Sequence, residues 1–197
     1  MRHNSSHSKD SHGTEPAASW PLPPQCIGAR YMPTPQPVVE AMLALALVGV
    51  DDTVYDVGCG DGRVVITAAR GYGARGVGID IQGWCIAESR HNARLAGVEG
   101  LVTFVQANAL DVDLSPATVV TLYMPAAWNR LFLPKLRREL AAAARVVSYV
   151  YGLGDESPVE ERWVTDQYGR SSPIYLWRRD PRRPVRPPDS PPDRGTG

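Results

Sequence analysis

Seven residues near the middle of the chain have the types and spacing to grip a nucleoside-like ligand: Asp56, Gly58, Cys59, Gly60, Asp61, Gly62 and Asp80. They fall in Val54-Tyr55-Asp56-Val57-Gly58-Cys59-Gly60-Asp61-Gly62-Arg63, a β-branched run that breaks into glycines at alternate positions, with Asp80 further on. Alternate glycines let a backbone double back and bring bare main chain against a ligand. Val64 to Arg70 reads as a helix, so the turn presents that ligand to a helix N-terminus. The spacing is G-x-G-x-G, not the G-x-G-x-x-G of a dinucleotide cradle. A pyrophosphate would be repelled by Asp61 inside the turn and Asp56 before it, whereas a ligand carrying positive charge is welcome there. Asp80 stands about 20 residues downstream, where a strand-end carboxylate can accept both hydroxyls of a ribose. Asn108 can meet the amino group of an adenine and Ala109 can offer a backbone contact, with Ile81 and Leu122 as further contacts. A purely structural reading makes Asp56 and Asp61 helix caps and Asp80 a surface carboxylate; all three falling at strand ends favours binding.

The elements that must position these groups alternate strand and helix. Thr34-Pro35 is expected to open a first helix, Thr34 as N-cap and Pro35 at the first helical position, with Val38, Met42, Leu45 and Ala46 on one face. Strands are expected over 52–57, 76–79, 102–105, 117–122 and 145–151. A helix after the glycine turn should end near Gly71 or Gly73, and another should run over 83–96, stopped by Gly97. Trp128 to Ala144 reads as a helix with Pro134 as a candidate break. Trp163–Gln167 and Ile174–Trp177, split by Tyr168-Gly169-Arg170-Ser171-Ser172, read as a closing antiparallel hairpin. Strands separated by helices imply a parallel sheet covered on both faces, with the ligand at the carboxyl ends of the strands beside the switch in strand order.

Composition bounds the rest. With 197 residues and 43% hydrophobic content, the chain suits one domain with a real core. Formal net charge is +0, so no broad nucleic-acid-binding surface is advertised. Cys26, Cys59 and Cys85 are odd in number and lack CxxC spacing, which argues against a disulfide framework or structural zinc and for a reducing, cytoplasmic setting. No run approaches the ~18 apolar residues of a membrane span. Residues 1–24 and 180–197 are polar, proline-rich or charged and read as disordered tails flanking a domain at 25–179. His3, His7 and His12 sit in the first tail without cysteine or carboxylate company, so no metal site is expected; the arginines near 178–186 read as a solvated tail.

S-adenosyl-L-methionine fits the glycine turn, since it carries an ammonium, a sulfonium and one carboxylate. The chain here resembles the class I, seven-β-strand S-adenosylmethionine-dependent methyltransferases: Asp56 to Arg63 matches their first motif and Gly78-Ile79-Asp80 their second. The resemblance spans roughly Tyr31 to Trp177 and implies a Rossmann-like three-layer αβα sandwich, its mostly parallel seven-stranded sheet closed by the antiparallel hairpin. Tyr31-Met32-Pro33-Thr34-Pro35, the Gly60–Arg63 turn and Ala144-Arg145-Val146-Val147-Ser148 are similar to a bacterial and archaeal group related to protein-lysine methyltransferases, including the mitochondrial ATP-synthase c-subunit enzymes. That likeness implies that Tyr31 and Thr34 line the methionine end of the cofactor.

For the acceptor, the end of the fourth strand is the place to look. Leu122-Tyr123-Met124-Pro125 marks the sheet edge where it enters. Tyr123 is the candidate to orient the nucleophile, and Trp128 either lines the acceptor channel or packs in the core. Enzymes acting on amides or base amines often carry Asn- or Asp-Pro-Pro-Tyr here; Leu122 stands where that polar residue would be. The acidic-x-x-tyrosine pattern of some eukaryotic lysine enzymes is absent too, and it is the likeness to the protein-lysine group that implies a protein lysine first, with a small-molecule amine or hydroxyl, or a catalytically silent binding module, as alternatives. A nicotinamide oxidoreductase is disfavoured by Asp61.

Overall fold

The computed structural model describes residues 32–179, which lie within one compact unit. Tyr31, the histidines of the N-terminal stretch and both expected tails lie outside the described residues. The chain runs α1 (Gln36–Leu45), β1 (Thr53–Val57), α2 (Arg63–Tyr72), β2 (Arg75–Asp80), α3 (Gly83–Leu95), β3 (Val102–Gln106), β4 (Val119–Leu122), α4 (Ala126–Glu139), β5 (Arg145–Tyr149), β6 (Glu160–Thr165) and β7 (Ser171–Arg178).

All seven strands form one sheet in the order β3-β2-β1-β4-β5-β7-β6. β1 to β5 are parallel, and β7 pairs antiparallel with both β5 and β6. This is the expected Rossmann-like arrangement, with the chain reversing direction across the sheet between β1 and β4. The period of two in the strands sorts the core into two layers. Tyr55, Val57, Val120, Leu122 and Val146 face Phe132, Leu136 and Leu140 of the α4 region. The alternate residues Val54, Val119 and Val147 are fully buried on the opposite face, where α1 and α2 pack.

Local differences from the sequence expectations have physical causes. Thr34 is not the cap of α1: Pro35 holds that position with ψ 142°, no side chain caps the helix, and Pro35 O accepts the amides of Val38 and Val39. Proline fixes φ where a helix must begin, so it displaces the weaker Thr34 signal by one residue. Pro134 does not break α4, which runs through it and instead stops at Glu139, five residues short of expectation. Phe132 and Leu136, on either side of it, are 4% and 3% exposed, and their burial outweighs the lost helical bond. β5 stops at Tyr149 because Val150 turns to φ +67°. The hairpin starts earlier than expected, at Glu160, because its turn is built by Asp166, whose Oδ1 accepts the amides of Tyr168 and Arg170. The expected stops hold: α2 ends on Gly73, and α3 is capped by Ala96 with Gly97 just beyond it, both glycines having positive φ.

Among the described residues no helix is long and apolar enough to cross a membrane.

Candidate active site

The glycine turn closes by hydrogen bonds to its neighbour strand. Gly58 and Cys59 amides donate to Ile79 O at 2.8 and 2.9 Å, and Gly62 N donates to Cys59 O at 2.8 Å. Gly58, Gly60 and Gly62 have φ of 75°, 53° and 82°, a region L side chains rarely enter. At Gly62 there is also no room: a Cβ would lie 2.7 Å from the Phe104 ring and 2.8 Å from Ser89 Cβ. At Gly58 a Cβ would meet Met124 Sδ at 3.2 Å, so the end of β4 presses against the turn.

The three aspartates do different work. Asp61, 2% exposed, pairs with the Arg63 guanidinium through Nε and accepts Arg63 N at 3.2 Å. Arg63 Nη1 in turn donates to Thr34 O at 3.0 Å, tying the segment before α1 to the turn. The negative charge of Asp61 is thus balanced inside the protein. Asp80 Oδ2 accepts Gly60 N at 3.0 Å and Oδ1 accepts Gln82 N at 2.9 Å. A carboxylate offers about four lone-pair positions, so two stay available for a pair of hydroxyls. Asp56, 6% exposed, accepts Thr121 Oγ1 at 2.6 Å. Burial pushes its carboxyl up to about 7, with Asp80 and Asp61 adding to the effect and the Thr121 bond opposing it. Cys59, 4% exposed, has its thiol pushed well up by burial and by Asp56, which makes it an inert packing group.

Of the remaining described candidates, Ile81, Asn108, Ala109 and Leu122 lie at or just beyond strand ends, Thr34 precedes α1 and Trp128 is on α4. Asn108 is exposed beyond β3, its Oδ1 accepting Leu110 N at 3.0 Å and keeping one lone pair, and Ala109 follows half-buried. Ile81 is 64% exposed and directly follows Asp80, so it offers an apolar surface beside that carboxylate. Leu122 is 1% exposed and lies in the core, so only its backbone can reach a ligand. Thr34 is buried against Arg63. Trp128 is 45% exposed on α4, which removes the core-packing reading.

Pairing register brings the acceptor side beside the donor side. Val57 pairs with Leu122 and Leu122 with Ser148, so Gly58 and Tyr123, which follow β1 and β4, come level with Tyr149, the last residue of β5. Tyr123 lies 4.6 Å from Tyr149 and 6.4 Å from Tyr151, centroid to centroid. Burial raises the Tyr123 phenol, Tyr149 and Tyr151 raise it further and the Arg170 charge opposes them, with the net shift upward, so it stays protonated at neutral pH. The sequence reading missed Arg63, Thr121, Met124, Tyr149 and Tyr151 as parts of this site. The strand order carries the signal for the last two, because it alone places the end of β5 next to β4.

These features fit S-adenosyl-L-methionine: a cradle of glycines, a carboxylate with spare acceptors at Asp80, and the buried Asp56 for a cation. The ANTKMT methyltransferase domain family matches residues 56–160. The chain belongs to that family. The methyltransferase is similar to the protein-lysine N-methyltransferase of Saccharolobus islandicus, 42% identical over 148 residues, 75% of this chain and 91% of the relative. It is also similar to the adenine nucleotide translocase lysine N-methyltransferase of Mus musculus, 31% identical over 66% of this chain and 60% of the relative. Among solved structures, an RNA methyltransferase from Salinibacter ruber in complex with S-adenosyl-L-homocysteine superposes with a TM-score of 0.72 at 44% identity, covering 78% of this chain and 97% of that one. The protein is an S-adenosyl-L-methionine-dependent methyltransferase.

Proposed function

We propose that this methyltransferase acts on the side-chain amine of lysine in a protein acceptor. The observation that carries the reading is the acceptor end of β4: Leu122 is buried, Met124 abuts the turn, and Tyr123 stands among tyrosines, with no amide or carboxylate side chain at the strand tip. An exocyclic base amine or a side-chain amide would call for a hydrogen-bond acceptor at that position. A lysine needs an apolar passage for its stem and a site that disfavours its charged form. The 42% likeness to a protein-lysine N-methyltransferase, spanning 91% of it, supports the same acceptor.

When bound, the cofactor supplies a methyl group on a positively charged sulfur, an electrophile that needs no further activation. The chain's residues hold it by its parts. Thr34 takes the amino-acid end against the glycine turn, a role the family likeness also gives to Tyr31, and Asp56 supplies negative charge behind it. Asp80 takes the ribose, while Ile81, Asn108 and Ala109 surround the base. Deprotonating a lysine near neutral pH costs roughly 4–5 kcal/mol from a reference pKa of ~10.4. Burying the amine at the β4 end reduces that cost. The protonated Tyr123 phenol orients the amine, and alignment carries much of the rate. The proton leaves to solvent. We place the working domain at residues 25–179 and its action in the cytoplasm.

Transfer of radiolabelled methyl from S-adenosyl-L-methionine into a host lysate tests the reading. Label is expected in protein, released on hydrolysis as methyllysine. Label confined to RNA or to small molecules overturns it, and ligand binding without any transfer makes the protein a silent binding module.

A further inference from the structure

Strand β5 ends on an unusual turn. Val150 has φ +67°, a left-handed conformation that a β-branched residue adopts only under strain. Tyr151 N donates to Tyr149 O at 2.8 Å, which makes residues 149–151 a γ-turn of the rarer, positive-φ kind. Such a turn persists only when its surroundings over-determine it, and here three elements do so. Ser148, fully buried on β5, donates its hydroxyl to Tyr151 O. Asn129, 1% exposed on α4, donates Nδ2 to Tyr151 O and Gly152 O, both at 3.1 Å. On β7, Pro173 O accepts Val150 N at 2.9 Å.

The turn determines where Tyr151 goes. Had β5 continued, residue 151 would have moved on along the strand direction, away from β4's end. Instead its ring stacks on Tyr123 at an interplanar angle of 19°. Tyr149, 6% exposed, backs Tyr123 at 50°. Tyr151 is 38% exposed and Tyr123 half-buried, so both keep accessible surface, and the β1–β4 register sets Tyr123 beside Gly58. Arg170, whose charge reaches Tyr123, is itself held by Asp166, to which its Nε donates at 2.9 Å, and its guanidinium lies 5.3 Å over the Tyr168 ring.

We propose that Tyr151 and Tyr123 form an aromatic corner that binds the acceptor's ammonium group on its ring faces, and that Asn129 and Ser148 are positioning residues that hold Tyr151 there through the Val150 turn. The inference rests on the lysine reading above. Aromatic faces attract ammonium cations, and methylated ammonium groups remain good partners because they are easily stripped of water. The corner therefore holds the protonated lysine on its way in, the amine gives up its proton to solvent only after leaving the ring faces for the buried end of β4, and mono- and dimethyllysine are retained for further rounds.

The test uses the full chain with lysate protein as acceptor, titrated in concentration, with mono-, di- and trimethyllysine counted by mass spectrometry. Tyr151→Leu should raise the half-saturating protein concentration by about 2- to 30-fold, the span expected of one cation–π contact. It should also shift product toward monomethyllysine while S-adenosyl-L-homocysteine binds as tightly as to wild type. Tyr151→Phe, which keeps the ring face, should stay within about two-fold of wild type. Asn129→Ala should imitate Tyr151→Leu, and adding Val150→Gly, which takes positive φ without strain, should recover part of the loss. Unchanged half-saturation and product pattern in Tyr151→Leu overturns the inference, as does a parallel loss of S-adenosyl-L-homocysteine binding. Wild-type protein that forms no methyllysine overturns the lysine reading and this inference with it; wild-type activity with an indifferent Tyr151→Leu overturns this inference alone.

Discussion

Asp56 is buried, accepts Thr121 Oγ1 at 2.6 Å and has its carboxyl pushed to about 7, first by burial and then by Asp80 and Asp61, against the pull of Thr121. Relative to its ordinary value of 3.8 the displacement is about 3 units. At ~1.36 kcal/mol per unit, ionised Asp56 costs the fold about 4 kcal/mol. The native state keeps a proton that the unfolded chain has released, so wild-type stability should fall as pH rises from about 4 to about 7 and then level off. Asp56→Asn retains an acceptor oxygen for Thr121 and has no proton to lose. Its stability in urea titrations should be level over that range and should exceed wild type above pH 7. The same charge favours a cationic ligand. Binding of S-adenosyl-L-methionine selects ionised Asp56 and should expel about 0.9 proton at pH 6 but only about 0.1 at pH 8. Calorimetry in two buffers of different ionisation heat counts those protons, and Asp56→Asn subtracts any released by the ligand itself. Equal proton counts for wild type and variant at pH 6 refute the reasoning, and so does a wild-type stability that is flat between pH 4 and 7.

Gly62→Ala combines a left-handed φ with a clash against Phe104 and Ser89, and should cost about 2–4 kcal/mol of stability by urea denaturation. Asp80→Ala removes the spare acceptors for the ribose and should weaken S-adenosyl-L-methionine binding by about 10- to 100-fold in calorimetry. At the opposite end of the sheet, burial raises the Asp52 carboxyl, but bonds from Thr118, Gly49 and Arg145 outweigh it and hold the group below its ordinary 3.8. Its contribution is therefore complete above about pH 4 and lost as pH falls below that. Asp52→Asn should be less stable than wild type at pH 7 yet lose less on acidification, as read by far-ultraviolet circular dichroism.

The donor half of this site is local in sequence, which is why it could be read. Gly58, Gly60 and Gly62 sit within five residues of one another, and Asp80 closes the very next strand, so spacing alone announces their meeting. The family resemblance and the seven-stranded sheet followed from the same stretch. Partnerships across the fold were not legible. Nothing in Asp61-Gly62-Arg63 says that Arg63 reaches back to Thr34 O, because that bond spans 29 residues. Tyr149 and Tyr151 look like the tail of a β-branched strand until pairing sets β5 beside β4. The apolar run 145–151 gave no sign that Val150 would leave the strand, since the forces that bend it come from Asn129 on another helix and Pro173 on another strand. Thr34 and Pro35 misled by one position because both are good helix openers and sit side by side.

Arg63 fastens together pieces that the chain keeps apart. Its guanidinium grips Asp61 in the floor of the cleft and Thr34 in the lip above α1. A lysine could not do this, having one point of charge where a planar fork with several donors is needed. The glycine turn and the segment leading into α1 consequently share this rivet. Substitutions that loosen the glycine turn will also release the strand of chain leading into α1, so donor affinity and the shape of the cleft's entrance are bound to vary together.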